Sequence, residues 1–170
     1  MNYLTFQRNY PIDLRRFFSL IDGDPENVLL WPNASIPFID SEWQSAFDNT
    51  LSFFVSSDGH DVGHFAIISA QSAGMDTEKP GAFVVMFVYV KPDIRSRGVG
   101  RLIMAFVEML VRSELDGSKL ILQVRDYNPR AIRCYNEAGF RKISQNGSAI
   151  RMVKLIRPHG RKTAEQNSRL

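Results

Sequence analysis

The strongest local pattern in the chain is AFVVMFVYVKPDIRSRGVGRLI, residues Ala82 to Ile103. The stretch up to Val90 is uncharged and mostly β-branched or aromatic, which predicts a strand buried on both faces. The run RSRGVG follows, and after it come apolar residues at helical spacing: Leu102, Ile103, Phe106, Val107, Leu110 and Val111. The stretch is therefore predicted to fold as a strand, a glycine turn and a helix.

The glycine turn is predicted to bind an anion. The first turn of a helix has backbone N–H groups without partners inside the helix, and the helix dipole adds positive partial charge there. Gly98 and Gly100 would let a phosphate approach the backbone, and Arg95, Arg97 and Arg101 would add charge around it. The alternative is an ordinary tight connection between strand and helix, with solvated arginines.

Two common phosphate motifs do not fit these residues. A Walker A loop needs Gly-Lys followed by Ser or Thr, whereas Gly100 is followed by Arg101 and Leu102. The dinucleotide fingerprint needs a glycine at the position of Ile103 and an acidic residue farther downstream than Asp116. Binding of a nucleoside triphosphate or a dinucleotide is therefore disfavoured.

A third pattern does fit. The run VKPDIRSRGVG, from Val90 to Gly100, resembles the acyl-CoA pyrophosphate loop of the GNAT N-acetyltransferase superfamily, Arg/Gln-x-x-Gly-x-Gly/Ala after a strand ending in Val-x-Pro. The run LQVRDYNPRAIRCYNEAGF, from Leu122 to Phe140, resembles the family's second motif, a strand followed by Asn, Ala, Tyr and Gly-Phe. The two motifs stand in the family's order and together cover residues 80 to 142.

The resemblance implies an α/β fold of the GNAT type, with a mixed α+β, mostly antiparallel twisted sheet and helices on both faces. It also implies acetyl-CoA as cosubstrate and a primary amine, on a small molecule or on a protein or peptide, as acceptor. The amine would attack directly in a ternary complex, without a covalent enzyme intermediate. No metal ion is expected.

The resemblance assigns site residues as well. Tyr135 would protonate the leaving thiolate, since an ordinary phenol has a pKa near 10. Cys134 is interpreted as a small buried hydrophobe rather than a nucleophile. The residues implied to bind acetyl-CoA are Val88, Tyr89 and Val90 through their main chain, Arg95, Ser96, Arg97, Gly98, Val99, Gly100 and Arg101 in the loop, and Asn128 and Tyr135.

The general base is not assigned. Gln123 stands where relatives that acetylate protein N-termini commonly have a glutamate, and an amide cannot accept the ammonium proton. Water, Tyr89, His64 or a carboxylate of the N-terminal region are the alternatives. Because of Gln123, a non-catalytic acyl-CoA-binding module is a second hypothesis, and a nucleotide-binding oxidoreductase is a third.

The acceptor pocket is assigned to Trp31, Trp43 and Gln123, with Phe38 and Phe47 as further candidates. These side chains would flank the acyl end of the cosubstrate in the family arrangement. The alternative is an aromatic cluster that covers the sheet.

Composition predicts one domain. The chain has 170 residues, of which 44% are hydrophobic, and residues 1–156 are assigned to a single domain with residues 157–170 as a basic flexible tail. The tail carries the whole net charge of +3, so no nucleic-acid partner is expected, with a nucleic-acid arm as the minor alternative for the tail. The longest uncharged apolar run is too short for a membrane helix, so no membrane is expected, and a homodimer is left open. One cysteine and no recognisable secretory signal predict a cytoplasmic protein.

The other elements are predicted from hydrophobic periodicity and turn residues. Two helix starts have capping residues, namely Asp40 or Ser41 before a helix through Phe47, and Asn128 before a helix that Gly139 ends. The remaining predictions are strands over 2–8 and 120–124, a helix over 13–20, loops over 28–38 and 72–80, and hairpins of 51–56 with 62–70 and of 140–143 with 149–156.

Overall fold

The computed structural model describes residues 3–30, 45–75 and 77–157, which form one seven-stranded sheet flanked by helices. The order of strands across the sheet is β1-β2-β3-β4-β5-β7-β6, and only β4 and β5 are parallel. The mixed, mostly antiparallel sheet expected from the sequence is confirmed. The strands are β1 (Leu4–Arg8), β2 (Leu51–Ser57), β3 (His60–Ser69), β4 (Ala82–Val90), β5 (Lys119–Arg125), β6 (Arg141–Asn146) and β7 (Ala149–Leu155).

The helices named below are α1 (Leu14–Ile21), α2 (Val99–Ser113) and α3 (Pro129–Glu137), with short 3-10 helices at Pro25–Leu30 and Pro92–Ile94. Asp13 caps α1 by accepting a hydrogen bond from the Arg16 amide. Asn128 caps α3 by accepting one from the Ala131 amide, as the sequence predicts. Among the described residues, no helix is long and apolar enough to cross a membrane.

Each face of the sheet has its own core because successive strand residues point to opposite faces. The α2 face is covered by α2 and α3, and its buried residues include Phe53, Phe65, Ile103, Val107, Leu122 and Tyr135. The α1 face is covered by α1, and its buried residues include Phe17, Phe47, Phe54, Ala66, Phe87 and Tyr89.

Two sequence expectations about burial were wrong. Strand β4 is not buried on both faces, because Val84, Met86, Val88 and Val90 are only half-buried beside a cleft. Leu102 is exposed on α2, although Ile103, Val107 and Val111 of the same predicted face are buried, together with Val99 and Met104.

Some predicted elements lie partly outside the described residues. Of the predicted helix from Asp40 or Ser41 through Phe47, the structure describes residues 45–47 as helical, with Phe47 fully buried. Of the predicted loop over 28–38, residues up to Leu30 belong to a 3-10 helix. Trp31, Phe38, Trp43 and the tail from residue 158 onward lie outside the described residues.

Candidate active site

A cleft opens where β4 and β5 separate. The two strands pair only from Ala82 opposite Lys119 to Val84 opposite Ile121, although both continue beyond these pairs. The cleft has a volume of about 950 Å³ and is lined by both strands and by the starts of α2 and α3. Beyond Val84, the edge of β4 that faces β5 has lost its partner strand, so main-chain polar groups there are available to a ligand.

A β-bulge redirects β4 beside this cleft. The register between β3 and β4 passes from His64 opposite Tyr89 to Ala66 opposite Met86, so two residues of β4 lie opposite one of β3. Phe87, within the bulge, has a φ of +53°. Met86 and Phe87 consequently both pack on the α1 face, whereas Val85 and Val88 pack on the α2 face.

A buried chain of hydrogen bonds reaches the bulge from β2. The Phe87 carbonyl can only accept, so His64 Nδ1–H donates to it over 3.1 Å, and His64 Nε2 accepts from the Ser52 hydroxyl over 2.7 Å. Asn9 donates from its side-chain amide to the same hydroxyl over 3.2 Å. Burial lowers the pKa of His64 to about 4, which keeps the imidazole neutral. His64 therefore holds the bulge and is not placed to accept a proton from an amine.

The anion site predicted at the start of α2 has uncapped amides. Gly98 precedes the helix with a φ of +87°, and no side chain in the described part of the chain caps the first turn. The first N–H groups of α2 therefore point toward the cleft without an intrahelical partner. Arg101 is exposed, with its Nη1 3.7 Å from Glu137 Oε2, and Arg97 is exposed as well.

Gly98 and Gly100 are needed at their positions for different structural reasons. Gly98 needs its positive φ, and a Cβ there would meet nothing within 4 Å. At Gly100, a Cβ would lie 3.0 Å from the Cys134 sulfur, so a small residue is needed where α2 approaches α3. Close helix packing at Gly100 was not foreseen from the sequence.

Arg95 braces the loop that precedes α2. Its Nε donates to the Val90 carbonyl over 2.8 Å, and its guanidinium forms ion pairs with Asp24 and, over 3.2 Å, with Glu26. Glu26 also forms an ion pair with Arg130 at the start of α3. Arg95 lines the cleft, with its guanidinium paired to the carboxylates of Asp24 and Glu26.

Tyr89, an alternative for the general base, is bound to Asp24. Burial opposes ionisation of Asp24, but hydrogen bonds from the Glu26 amide, Arg95 and Tyr89 outweigh it and lower the pKa of this carboxyl. Burial and the Asp24 carboxylate together raise the pKa of Tyr89. The Tyr89 phenol thus keeps its proton, while the main chain of Tyr89 lines the cleft.

On α3, Tyr135 and Cys134 line the opposite wall of the cleft. Burial raises the pKa of the Tyr135 phenol, whose hydroxyl has no hydrogen-bond partner among the described residues. Burial also raises the pKa of Cys134, with a smaller contribution from Glu137, so the thiol remains protonated. Cys134 is half-buried rather than fully buried, and it has none of the thiolate character that a nucleophile needs.

Gln123 is exposed on β5 and lines the cleft on the α1 face. The other two residues assigned to the acceptor pocket, Trp31 and Trp43, lie outside the described residues. Phe47 does not line the cleft, because it packs against Phe17 and Phe87 in the core of the α1 face.

Sequence reasoning missed several residues of the cleft wall. Leu29 and Leu30 of the 3-10 helix, and Ala73 and Met75 of the connection between β3 and β4, lie on one side of it. The sequence predicts only turns and polar connections for these segments, so no local sequence pattern could have identified the four residues as part of a cleft. Among the described residues, no group of three or more His, Cys, Asp or Glu side chains is arranged to hold a metal ion.

The family model described as "Acetyltransferase (GNAT) family" matches residues 14–140, and no curated protein matches the chain. Among solved structures, aminoglycoside acetyltransferase AAC(6')-Ib with ribostamycin and coenzyme A has a TM-score of 0.74 at 19% identity, covering 91% of this chain and 94% of that chain.

Spermidine N-acetyltransferase from Vibrio cholerae, in complex with CoA and spermine, has a TM-score of 0.69 at 19% identity, covering 89% of this chain and 95% of that one. A dodecameric structure of that enzyme has a TM-score of 0.64 at 18% identity, covering 89% of this chain and 93% of that one. At these identities the structural matches establish the fold.

Proposed function

We propose that this chain, which belongs to the acetyltransferase (GNAT) family, transfers the acetyl group of acetyl-CoA to a primary amine by direct attack in a ternary complex. The observation that carries the proposal is the cleft between β4 and β5, with the uncapped start of α2 at its mouth and Tyr135 on its wall. The amine itself is a small molecule or a protein or peptide group.

The cleft residues fit acetyl-CoA as a ligand. The amides at the start of α2, from Gly98 to Arg101, would bind the pyrophosphate, with Ser96 and Arg97 beside them. The main chain of Val88, Tyr89 and Val90 would bind the pantetheine arm along the unpaired edge of β4. Asn128, at the start of α3, lines the same cleft.

The acetyl thioester supplies an activated carbonyl, and the protein's own groups act around it. A β4 amide beside the bulge would hydrogen-bond the carbonyl oxygen and stabilise negative charge during attack. As the C–N bond forms and the C–S bond breaks, the Tyr135 hydroxyl would donate its proton to the departing sulfur. Gln123 cannot remove the amine proton, so water in the open cleft would carry it to solvent.

The first experiment is thermal unfolding with acetyl-CoA, CoA, NADPH and ATP in parallel, since it needs no knowledge of the acceptor. A ligand at about 100 times its Kd stabilises the folded state by about 2.7 kcal/mol, which raises Tm by several degrees. We expect shifts with acetyl-CoA and CoA. A larger shift with NADPH would favour the oxidoreductase hypothesis and overturn this proposal.

Acetyl transfer is then measured as thiol release with a panel of amines. Turnover with at least one amine is expected. Binding of acetyl-CoA without transfer to any amine would favour the non-catalytic acyl-CoA-binding module.

A further inference from the structure

The sheet surface beside Gln123 is basic. Leu122 and Val124 pack on the α2 face, so the alternating residues Gln123 and Arg125 project from the α1 face. The register pairs Gln123 with Arg151 and Arg125 with Ala149 on β7, so all four residues share the α1 face. These four residues, Gln123, Arg125, Ala149 and Arg151, are called the basic corner below.

The basic corner has hydrogen-bond donors to spare. Arg125 donates from Nη1 to the Ser148 hydroxyl over 2.7 Å. Arg151 Nη2 contacts the Met75 sulfur at 3.1 Å and Glu78 at 3.4 Å, while its buried Nε has no hydrogen-bond partner among the residues that the structure describes. A guanidinium offers five N–H donors, so both arginines can bind a further acceptor.

Glu78, the described carboxylate that contacts this corner, is already paired. Glu78 binds Lys119 at 2.6 Å as well as Arg151. Glu26, on the other side of the cleft, is shared by Arg95 and Arg130. Within the described part of the cleft wall, the acceptor side therefore offers unused cationic donors rather than unused carboxylates.

The basic corner borders the cleft. Gln123, Arg125 and Ala149 line it, and Arg151 lies beside them, opposite Gln123 in the register. The methyl side chain of Ala149 leaves space between the two longer arginines. Arg125 and Arg151 are diagonal neighbours across β5 and β7, a separation that one small anionic group can bridge.

Resting on the proposed function, we propose that the acceptor amine also carries a carboxylate, which the basic corner binds through Arg125, Arg151 and the Gln123 amide. This distinguishes the chain from its structural neighbours, whose structures contain spermine or aminoglycosides. A polycation of that kind would meet like charge at this corner, whereas the carboxylate of an amino acid or of a related acid would be held with its amine directed into the cleft.

The test compares amines that differ only in the carboxylate, by thiol release at saturating acetyl-CoA. The pairs are lysine with cadaverine, and 5-aminopentanoate with pentylamine, with spermidine and kanamycin added. We expect kcat/KM to be about tenfold or more higher for the carboxylated member, the effect of a charge-assisted hydrogen bond.

Variants locate the effect. Arg125→Gln and Arg151→Gln are expected to raise KM for the carboxylated amine about tenfold or more, with KM for acetyl-CoA unchanged. Arg151→Lys retains the charge, and thermal unfolding of each variant checks its fold. Lys142→Gln is the matched control, because Lys142 lies opposite Met152 and so belongs to the other face of the same hairpin.

The outcomes separate this proposal from the proposed function. If spermidine or kanamycin is the best acceptor and neither arginine variant changes its KM, the basic corner has no role in recognition, while the acetyltransferase proposal stands. A rise in KM for acetyl-CoA in Arg125→Gln would assign that arginine to the cofactor and count against the corner.

If no amine is acetylated, the proposed function fails. A binding measurement then tests whether the basic corner recognises a carboxylate. Calorimetry of the CoA-loaded protein would compare N-acetylmethionine with N-acetylmethioninamide. If N-acetylmethionine binds more tightly than the amide, and Arg151→Gln removes this difference, the result supports carboxylate binding at the basic corner. Equal affinities for the acid and the amide overturn the proposal.

Discussion

Tyr135 and His64 are both buried titratable side chains, but their hydrogen bonds give them different uses. Both ring nitrogens of His64 are engaged, one with Ser52 and one with the Phe87 carbonyl. Tyr135 lines the cleft, and its hydroxyl has no hydrogen-bond partner among the described residues. The histidine is therefore a positioning residue, and the tyrosine is available to a reacting group.

Replacing Tyr135 with Phe is expected to lower kcat about 100-fold or more, because the departing thiolate loses its proton donor. KM for acetyl-CoA and Tm should change little, since the ring still packs near Phe140. Steady-state thiol release at saturating acetyl-CoA measures the effect. An unchanged kcat would remove Tyr135 from the chemistry.

His64 predicts how stability depends on pH. In the folded protein the pKa of His64 is about 4, below the ordinary value of 6.5. Between these two pH values the unfolded chain therefore binds a proton at His64 that the folded chain does not bind. The contribution of His64 to the free energy of unfolding is thus fully present above pH 6.5. It falls by about 3 kcal/mol in total as the pH drops toward 4. Urea unfolding at several pH values measures the slope.

The control for that slope is His64→Gln, which has no titratable group at the position. It should be less stable at neutral pH because a flexible amide does not reproduce the rigid imidazole bridge between Ser52 and the Phe87 carbonyl. Its stability should change less between pH 6.5 and 4. The same slope in both proteins would mean that His64 is not its source.

At the scale of elements, the approach of α2 to α3 shapes the mouth of the cleft. Gly100 and Cys134 make the contact, and each lies next to a residue assigned to the site, Arg101 and Tyr135 respectively. A change in the distance between the helices would therefore move the phosphate site relative to the tyrosine.

Adding a Cβ at position 100 tests this contact. Gly100→Ala is expected to lower the free energy of unfolding by about 1–2 kcal/mol, because the new atom would lie 3.0 Å from the Cys134 sulfur. Combining it with Cys134→Ala should recover most of the loss, so the two changes should be non-additive in a double-mutant cycle. Additive effects would show that the helices are not crowded there.

Elements with local signals could be predicted from the sequence. Alternation and turn residues predict the hairpins, and the cap at Asn128 marks the start of α3. The pairing of Arg95 with Asp24 could not be predicted, because it joins residues 71 positions apart and neither has a periodic pattern. Half-burial of β4 also depends on where β5 diverges, which is a tertiary property.

Within the site, the resemblance supplied residue types, and the structure added their surroundings. The cap at Asn128 and the start of α2 after Gly98 were predictable because they are properties of single turns. The bulge at Phe87 was not predictable, since it arises from a register shift against β3. The basic corner likewise depends on the register between β5 and β7.

At the scale of the whole molecule, the described sheet consists of two parts joined at one place. Strands β1 to β4 form one antiparallel group, and β5, β7 and β6 form the other. The hydrogen-bonded connection between the groups is the short parallel pairing that ends at Val84 and Ile121.

Acetyl-CoA bound in the cleft is expected to slow hydrogen exchange in β4 after Val84, because ligand groups would replace the missing strand partner. Exchange in β1 and β2, which keep their strand neighbours, should change less. Mass spectrometry with and without CoA measures both regions. Uniform slowing over the whole sheet would point to global stabilisation instead of binding between β4 and β5.

Cys134 is the one cysteine of the chain, and it lies on the wall of the cleft. Its raised pKa makes alkylation slow, but the half-buried residue lines the cleft and is expected to react with a small reagent in the ligand-free protein. A ligand that covers this part of the cleft wall is expected to shield the thiol. The protein thus contains its own footprinting label, and the alkylation rate of a single atom reports ligand occupancy without a reporter dye or an introduced tag.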